Sequence, residues 1–142
     1  MISNLLAALR LRQWTKNLLV FAGLIFAQAL GDPVHVARVV AAFVIFCLLS
    51  GGTYLVNDVL DVERDRNHPQ KRHRPVASGR LSPRVAVATG ATLLIGATAA
   101  AFLLSPAFGG VAFAYAVLLT IYSVGLKHVV IVDTLLIAAG FV

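Results

Sequence analysis

The uncharged apolar stretch from Val39 to Val56 constrains this chain more than any other part of the sequence. It approaches the roughly 20 apolar residues that an α-helix needs to cross the hydrocarbon core of a bilayer. The overall composition agrees, because 59% of the residues are apolar, only 13% are charged and the mean hydropathy is +0.87. The sequence therefore predicts an all-α, polytopic membrane helical bundle and not a water-soluble globule.

Five apolar segments follow one another along the chain, separated by turns and polar stretches. Two of the turns, at 31–33 and 105–106, contain proline next to aspartate or serine, which favours a tight change of direction. We expect four full transmembrane helices and the start of a fifth. They cover Gln13–Leu30, Val36–Val56, Val85–Leu104, Phe108–Val124 and a last segment from Val129 to Val142.

The basic residues are concentrated in alternate connections between these segments. Positive residues are enriched in the cytoplasmic loops of membrane proteins, so this distribution predicts a cytoplasmic N-terminus and a cytoplasmic loop after the second segment. We interpret the net charge of +6 as a topology signal in the cell membrane and not as a nucleic-acid surface. The residues concerned are Arg10, Arg12, Lys16, Arg64, Arg66, Lys71, Arg72, Arg74, Arg80, Arg84 and Lys127.

The N-terminal segment also has features of a cleavable secretory signal. Basic residues precede an apolar run, and Ala27-Gln28-Ala29 matches the small-residue pattern of a cleavage site. Trp14 beside Lys16 is instead typical of a retained helix that is anchored at the membrane interface. We favour the retained helix.

The second apolar segment ends in a cluster of oxygen-bearing side chains that we call the acidic face. Its members are Asn57, Asp58, Asp61 and Asp65. On a continuous helix with about 100° per residue they share one side, whereas Glu63 points away. Carboxylates at membrane depth are costly and mark functional sites, and several of them held together repel one another unless a cation is present. The acidic face therefore predicts a site for Mg²⁺, shared with the phosphates of a substrate.

A basic loop, residues 67–80, follows the acidic face. Guanidinium groups bind phosphate oxygens through paired donors and a lysine adds a compact charge, so Lys71, Arg72 and Arg74 could hold a diphosphate against the metal. The alternative is a cytoplasmic loop that contacts anionic lipid headgroups. The adjacent acidic face favours the phosphate interpretation.

Three stretches of the chain resemble the UbiA-type intramembrane prenyltransferase superfamily. The first aspartate-rich motif and adjoining loop of that superfamily are matched by Asn57-Asp58-x-x-Asp61-x-x-x-Asp65 followed by Lys71-Arg72-x-Arg74-Pro75-x-x-Ser78-Gly79. The other two stretches are Arg10 to Ala22 and Tyr122-Ser123-x-x-Leu126-Lys127 with Asp133. They are most similar to the branch that contains decaprenyl-phosphate phosphoribosyltransferase.

The resemblance implies a reaction and a larger molecule. The reaction is Mg²⁺-dependent transfer of a 5-phosphoribosyl group from phosphoribosyl diphosphate to a polyprenyl (decaprenyl) phosphate, in the synthesis of cell-wall arabinan precursors. Members of the superfamily carry a second acidic motif in their later half, so residues 1–142 are expected to form the N-terminal half of a UbiA-like bundle. Alternatively, the chain could assemble with a second polypeptide or copy, or be inactive.

The resemblance also implies roles for individual side chains. The acidic face would hold Mg²⁺ on the leaving diphosphate, with Asp58, Asp61 and Asp65 as the catalytic residues. Asp133 would complete a polar cavity at the acidic face or pair with Lys127 or His128. The phosphate and sugar groups would be bound by Lys16, Asn57, Lys71, Arg72, Arg74, Tyr122 and Lys127.

Two other functions remain compatible with the same residues. A related enzyme that transfers an isoprenyl group from its diphosphate to an aromatic or other acceptor would need the same metal and diphosphate site. A transporter or another non-catalytic membrane protein could use the acids as an ion path. A transport path, however, is expected to place its ionisable groups near the midplane, whereas here they gather at one end of a segment.

Overall fold

The computed structural model describes residues 1–125, and every regular element in that range is helical, as predicted. The fifth apolar segment, with Lys127 and Asp133, lies outside the described residues. The elements are α1 (Ile2–Ala8), a long 3₁₀ helix (Leu11–Phe21), α2 (Ala22–Phe26), α3 (Pro33–Leu60), α4 (Val62–Arg66), a short 3₁₀ helix (Lys71–His73), α5 (Pro83–Leu104) and α6 (Pro106–Val124).

Three of these helices, α3, α5 and α6, are long and apolar enough to cross a membrane. They correspond to the second, third and fourth predicted segments. Each begins with proline at its first position, where the missing N–H costs nothing. Asp32 and Ser105 cap α3 and α6 by accepting hydrogen bonds from backbone N–H groups, so both predicted turns are confirmed.

The first predicted segment does not form a single spanning helix, so the count of four full spans is not confirmed. A long 3₁₀ helix and the five-residue α2 take its place. The physical reason is that the uninterrupted apolar run covers only Leu18 to Ala27, about half of what a span needs. The long 3₁₀ helix and α2 are flanked by two residues with left-handed backbone, Arg10 (φ 53°) and Gln28 (φ 52°).

Helix α3 packs closely against α5 through two glycines. A Cβ added to Gly52 would lie 3.0 Å from the carbonyl oxygen of Gly90, and the reverse distance is also 3.0 Å. The two backbones can therefore approach only because neither residue has a side chain, as expected for helices that pack within lipid. On the other side of α3, Phe46 contacts Phe108 and Tyr115 of α6 edge to face.

The loop between α4 and α5 folds back into the core. Val76 is fully buried and Leu81 is only 2% exposed. Both belong to one apolar cluster with Leu9, which precedes the long 3₁₀ helix, and Leu55 of α3. Packing of this loop against the bundle fixes the position of Arg74, which lies in the same loop.

Candidate active site

Helix α3 ends one turn into the predicted acidic face. Its last residue is Leu60, Asp61 has non-helical dihedral angles (φ −97°, ψ 6°), and α4 begins at Val62. The expectation of one continuous helical face through Asp65 is therefore wrong. The break occurs where the chain leaves the apolar segment and the last backbone groups of α3 require new partners.

Asp58 of α3 and Asp65 of α4 nevertheless converge. Both are almost fully buried, at 2% and 1% exposure. Nη1 of Arg74 lies between them and donates to Oδ1 of Asp58 at 3.2 Å and to Oδ2 of Asp65 at 2.7 Å. Nη2 of Arg10 donates to the same Oδ1 of Asp58 at 2.5 Å. Two buried acids and two arginines thus alternate in a network whose formal charge is zero, as burial of ionised groups requires.

Arg10 is the residue of this network whose role sequence reasoning missed. It was interpreted as a topology signal and as the start of a stretch that resembles the superfamily, and it was given no binding role. It is positioned by a left-handed backbone conformation between α1 and the long 3₁₀ helix. This conformation is unfavourable for a residue with a Cβ, and such strain is found preferentially at functional sites. The guanidinium also lies 4.5 Å from the ring centroid of Tyr54, a cation–π contact.

The described structure brings together only part of the predicted metal site. Within residues 1–125, no group of three His, Cys, Asp or Glu side chains is placed to hold a metal ion. Asp58 and Asp65 do share one positively charged nitrogen, and two carboxylates around a cation are donors that suit Mg²⁺. Arg74 holds that place in the described arrangement. Glu63 points away as predicted, with 78% of its side chain exposed and an ion pair to Arg66.

A cavity of about 250 Å³ adjoins Arg10, between α3 and α6. All but one of its lining side chains carry a nitrogen or oxygen atom, and the exception is Leu119. Tyr122, which the sequence analysis placed in the site, is among them. The polar lining residues are Arg10, Ser50, Thr53, Tyr54, Asn57, Tyr115, Tyr122 and Ser123.

The remaining predicted binding residues lie in different places. Lys16 lines a separate opening beside Asn17 and Phe46, and Tyr115 lines both this opening and the polar cavity. Lys71 and Arg72 are exposed on the loop surface. The predicted basic group of the loop is therefore divided, because Arg74 turns inward to the aspartates while its two neighbours face outward.

These features define a multi-pass membrane protein with a buried network of acids and arginines beside a polar cavity. Comparison with known proteins agrees, since residues 18–142 match the UbiA prenyltransferase family. This chain belongs to the UbiA prenyltransferase family, as the aspartate-rich motif predicted.

Curated relatives match between two thirds and nearly all of this chain. It is similar to decaprenyl-phosphate phosphoribosyltransferase of Mycolicibacterium smegmatis, with 37% identity across 99% of this chain and 46% of that protein. The enzyme of that name from Corynebacterium glutamicum is 39% identical across 97% of this chain and 43% of its own length. Digeranylgeranylglyceryl phosphate synthase of Methanoculleus marisnigri is 35% identical across 67% of this chain and 33% of that protein. The chain thus spans about half the length of the phosphoribosyltransferases that it matches.

Proposed function

We propose that this protein transfers a 5-phosphoribosyl group from phosphoribosyl diphosphate to a polyprenyl phosphate, in an Mg²⁺-dependent reaction that releases diphosphate. The names of the relatives that match along nearly the whole chain support this transferred group and this acceptor. The proposal includes a role in supplying cell-wall arabinan precursors and a cytoplasmic location of the acidic face, where water-soluble phosphorylated donors are found.

The observation that carries the choice of donor is the polar cavity beside Arg10. A phosphoribosyl group offers hydroxyl and phosphate oxygens that need hydrogen-bond partners once water is removed, and hydroxyl-bearing side chains of α3 and α6 line this cavity. Its volume of about 250 Å³ is on the scale of a small phosphorylated sugar. The hydroxyl groups of Ser50 and Thr53 donate to backbone carbonyl groups and can still accept hydrogen bonds from a sugar, whereas an isoprenyl chain offers neither donors nor acceptors.

The chemistry that this chain can supply is electrostatic. The bond between ribosyl C1 and the diphosphate oxygen breaks, and C1 forms a bond to an oxygen of the acceptor phosphate. Arg74 and Arg10, which pair with the aspartates in the described structure, would donate to the phosphate oxygens that gain charge, and Asp58 and Asp65 would hold Mg²⁺. When bound, Mg²⁺ would offset negative charge on the leaving diphosphate. The acceptor oxygen is already anionic and needs no general base.

A second candidate function is isoprenyl transfer to another acceptor. It is favoured by the similarity to digeranylgeranylglyceryl phosphate synthase. An apolar groove of about 520 Å³ between α5 and α6, lined by residues such as Phe102 and Phe113, could hold an isoprenyl chain. The groove is equally suited to the lipid tail of a polyprenyl phosphate acceptor. It therefore does not favour either donor.

The test uses membranes that contain the protein as its gene encodes it, supplied with decaprenyl phosphate and one radiolabelled donor at a time. We expect label from phosphoribosyl diphosphate to enter the lipid fraction with Mg²⁺ and not with EDTA. Consumption of an isoprenyl diphosphate, with phosphoribosyl diphosphate left intact, would contradict the proposal. Asp65→Asn should reduce the transfer strongly, whereas Glu63→Gln, a change of the same kind at an exposed position two residues away, should preserve it.

A further inference from the structure

We propose that the outward side of the loop between α4 and α5 binds the phosphate headgroups of anionic phospholipids in the surrounding bilayer. All four cations of this outer basic surface are exposed, whereas Arg74 of the same loop turns inward to the buried aspartates. The surface is separate from the candidate active site, so its role does not depend on the proposed reaction. Its members are Lys71, Arg72, Arg80 and Arg84.

The outer basic surface has positive charge that is not paired with a carboxylate. Within residues 1–125, none of its four side chains forms an ion pair. Acids close to it in the sequence have other partners, since Asp58 and Asp65 pair with arginines in the interior and Glu63 pairs with Arg66. An anion can therefore bind at this surface without displacing a carboxylate of the described chain.

Two guanidinium groups of this surface are held together by His73. Nε of Arg72 donates to Nε2 of His73 at 3.4 Å, and Nη2 of Arg80 donates to the backbone carbonyl oxygen of His73 at 2.6 Å. Nε of Arg80 also donates to Oγ of Ser78 at 3.0 Å. Each guanidinium keeps most of its five N–H groups for phosphate oxygens. Because both side chains are already placed, they lose less conformational entropy when a headgroup binds.

The position of the surface in the bundle favours a membrane lipid as the anion. Arg84 is the second residue of α5, which is long and apolar enough to cross a membrane. Val85 and Val87 follow in the same turn, and both are exposed. The cations therefore lie where the lipid-facing surface of α5 begins, which is the level of the headgroups.

Helix α1 adds apolar side chains next to these cations. Nδ2 of Asn4 donates to the backbone carbonyl oxygen of Arg80 at 3.0 Å, so α1 lies against the loop. Ile2 and Leu6 of α1 are exposed, whereas Ala8 is buried in the bundle. Exposed apolar side chains beside unpaired cations are typical of a surface that binds a membrane with anionic lipids. A nucleic acid or an acidic protein would match the cations and leave these apolar side chains in water.

The experiment measures lipid binding by native mass spectrometry of the protein as its gene encodes it, in detergent micelles. We expect dioleoyl phosphatidylglycerol to bind more tightly than dioleoyl phosphatidylcholine, which has the same acyl chains and no net charge. Arg72→Gln should weaken phosphatidylglycerol binding about fivefold, the factor that corresponds to one cation at an anionic surface. The double variant Lys71→Gln/Arg72→Gln should lose more, and phosphatidylcholine binding should not change.

The matched control is Arg38→Gln, which removes an exposed arginine in the first turns of α3, at the opposite end of that helix from the loop. It should weaken phosphatidylglycerol binding less than about twofold, because charges farther apart than the Debye length of about 10 Å are screened. Equal losses for Arg38→Gln and Arg72→Gln would show that net charge sets the affinity, and would overturn the proposal. Unchanged affinity in the folded double variant would also overturn it.

Pyrophosphate distinguishes the outer basic surface from the candidate active site. The sequence predicted that Lys71 and Arg72 hold a diphosphate, so pyrophosphate with Mg²⁺ would compete with phosphatidylglycerol if they did. We expect no competition, because both side chains face outward. Displacement of the lipid by pyrophosphate would assign the two residues to the diphosphate site and contradict the proposal. The lipid measurement contains no phosphoribosyl donor, so its failure is distinct from failure of the transfer assay.

Discussion

Helix α3 and the two helices at the outer surface, α5 and α6, are similar in hydropathy and opposite in environment. The most apolar window of α3 is 50% buried within the described structure, whereas those of α5 and α6 are each 17% buried. Ile95 and Leu103 of α5 are 72% and 89% exposed, as expected for side chains that face lipid. Hydropathy therefore identifies all three spans, but only their packing shows that α3 is the central helix.

The same contrast applies to polar groups. Helix α3 carries Ser50, Thr53 and Asp58 in buried positions, each with a hydrogen-bond partner. In contrast, the outer surface has apolar side chains around its groove, with Thr98 and Thr120 as the polar exceptions. Buried polar groups are retained at a cost in stability, so from their concentration on α3 we expect the functional site to lie there. The predictions below test that conclusion, from the largest expected effect to the smallest.

Asp58→Asn should have the largest effect. It removes a negative charge that interacts with two arginines and that would also bind the metal, so we expect the phosphoribosyl transfer rate to fall on the order of 10²–10³-fold. Transfer assays in membranes measure it. Glu63→Gln is the control, because Glu63 is exposed. Equal losses for the two substitutions would contradict the distinction between a buried acidic site and an exposed surface.

Arg74→Met should destabilise the protein by about 3 kcal/mol, because it leaves two buried carboxylates without one of their partners. Thermal unfolding in detergent measures the change. Arg72→Met, on the exposed surface of the same loop, should stay within about 0.5 kcal/mol of the unmodified protein. If both variants lose the same stability, the loop contributes through its overall charge and not through the network with Asp58 and Asp65.

Gly90→Ala and Gly96→Ala compare the inner and outer sides of α5 directly. At Gly90 a Cβ would lie 3.0 Å from the Gly52 carbonyl oxygen, so we expect a loss of about 1–3 kcal/mol. At Gly96 no heavy atom lies within 4 Å of the added Cβ, and alanine should stabilise the helix by up to about 1 kcal/mol. Thermal unfolding checks both, and effects of the same sign would show that α5 does not pack on α3 as described.

Most of the fold could be predicted because its signal is local. The apolar windows of α3, α5 and α6, with prolines at their starts, give their positions within a few residues. The structure of the first segment could not be predicted in this way, because its predicted range Gln13–Leu30 joined a short apolar run to polar residues on both sides. The 3₁₀ geometry and the left-handed turn at Arg10 depend on tertiary contacts that periodicity does not encode.

The sequence identified both acids of the candidate site and Arg74, but it did not identify Arg10. Asp58 and Asp65 were identified from their spacing, and their burial follows from the packing of α3 and of the loop. Arg10 lies 48 positions from Asp58 in the sequence, and a local sequence pattern does not predict an ion pair between residues so far apart. The phosphate-binding role of Arg74 stays a prediction. The position of Arg74 between two aspartates depends on the packing of Val76 in the core. The basic composition of the loop does not indicate that Val76 is buried.

The smallest expected effect is at the far end of α3, where Asp32 caps the helix. Oδ1 of Asp32 accepts from Val34 N–H at 2.8 Å, and the hydrogen bond of Oδ2 with His35 is the main reason that the pKa of Asp32 lies below its usual value of 3.8. Because the folded state lowers this pKa, the ionised cap contributes stability above pH 3.8, and this is lost as the pH falls through the lowered pKa.

Asp32→Asn should therefore lower the Tm slightly at pH 7 and leave it unchanged at a pH below the lowered pKa of Asp32. Asparagine retains a side-chain oxygen for Val34 N–H, so the difference in Tm isolates the charge and its pair with His35. Scans of both proteins over this pH range measure it. A Tm difference that grows toward acid would show that another titrating group dominates. A fall at pH 7 as large as that of Arg74→Met would contradict the division between a buried charged end of α3 and its exposed opposite end.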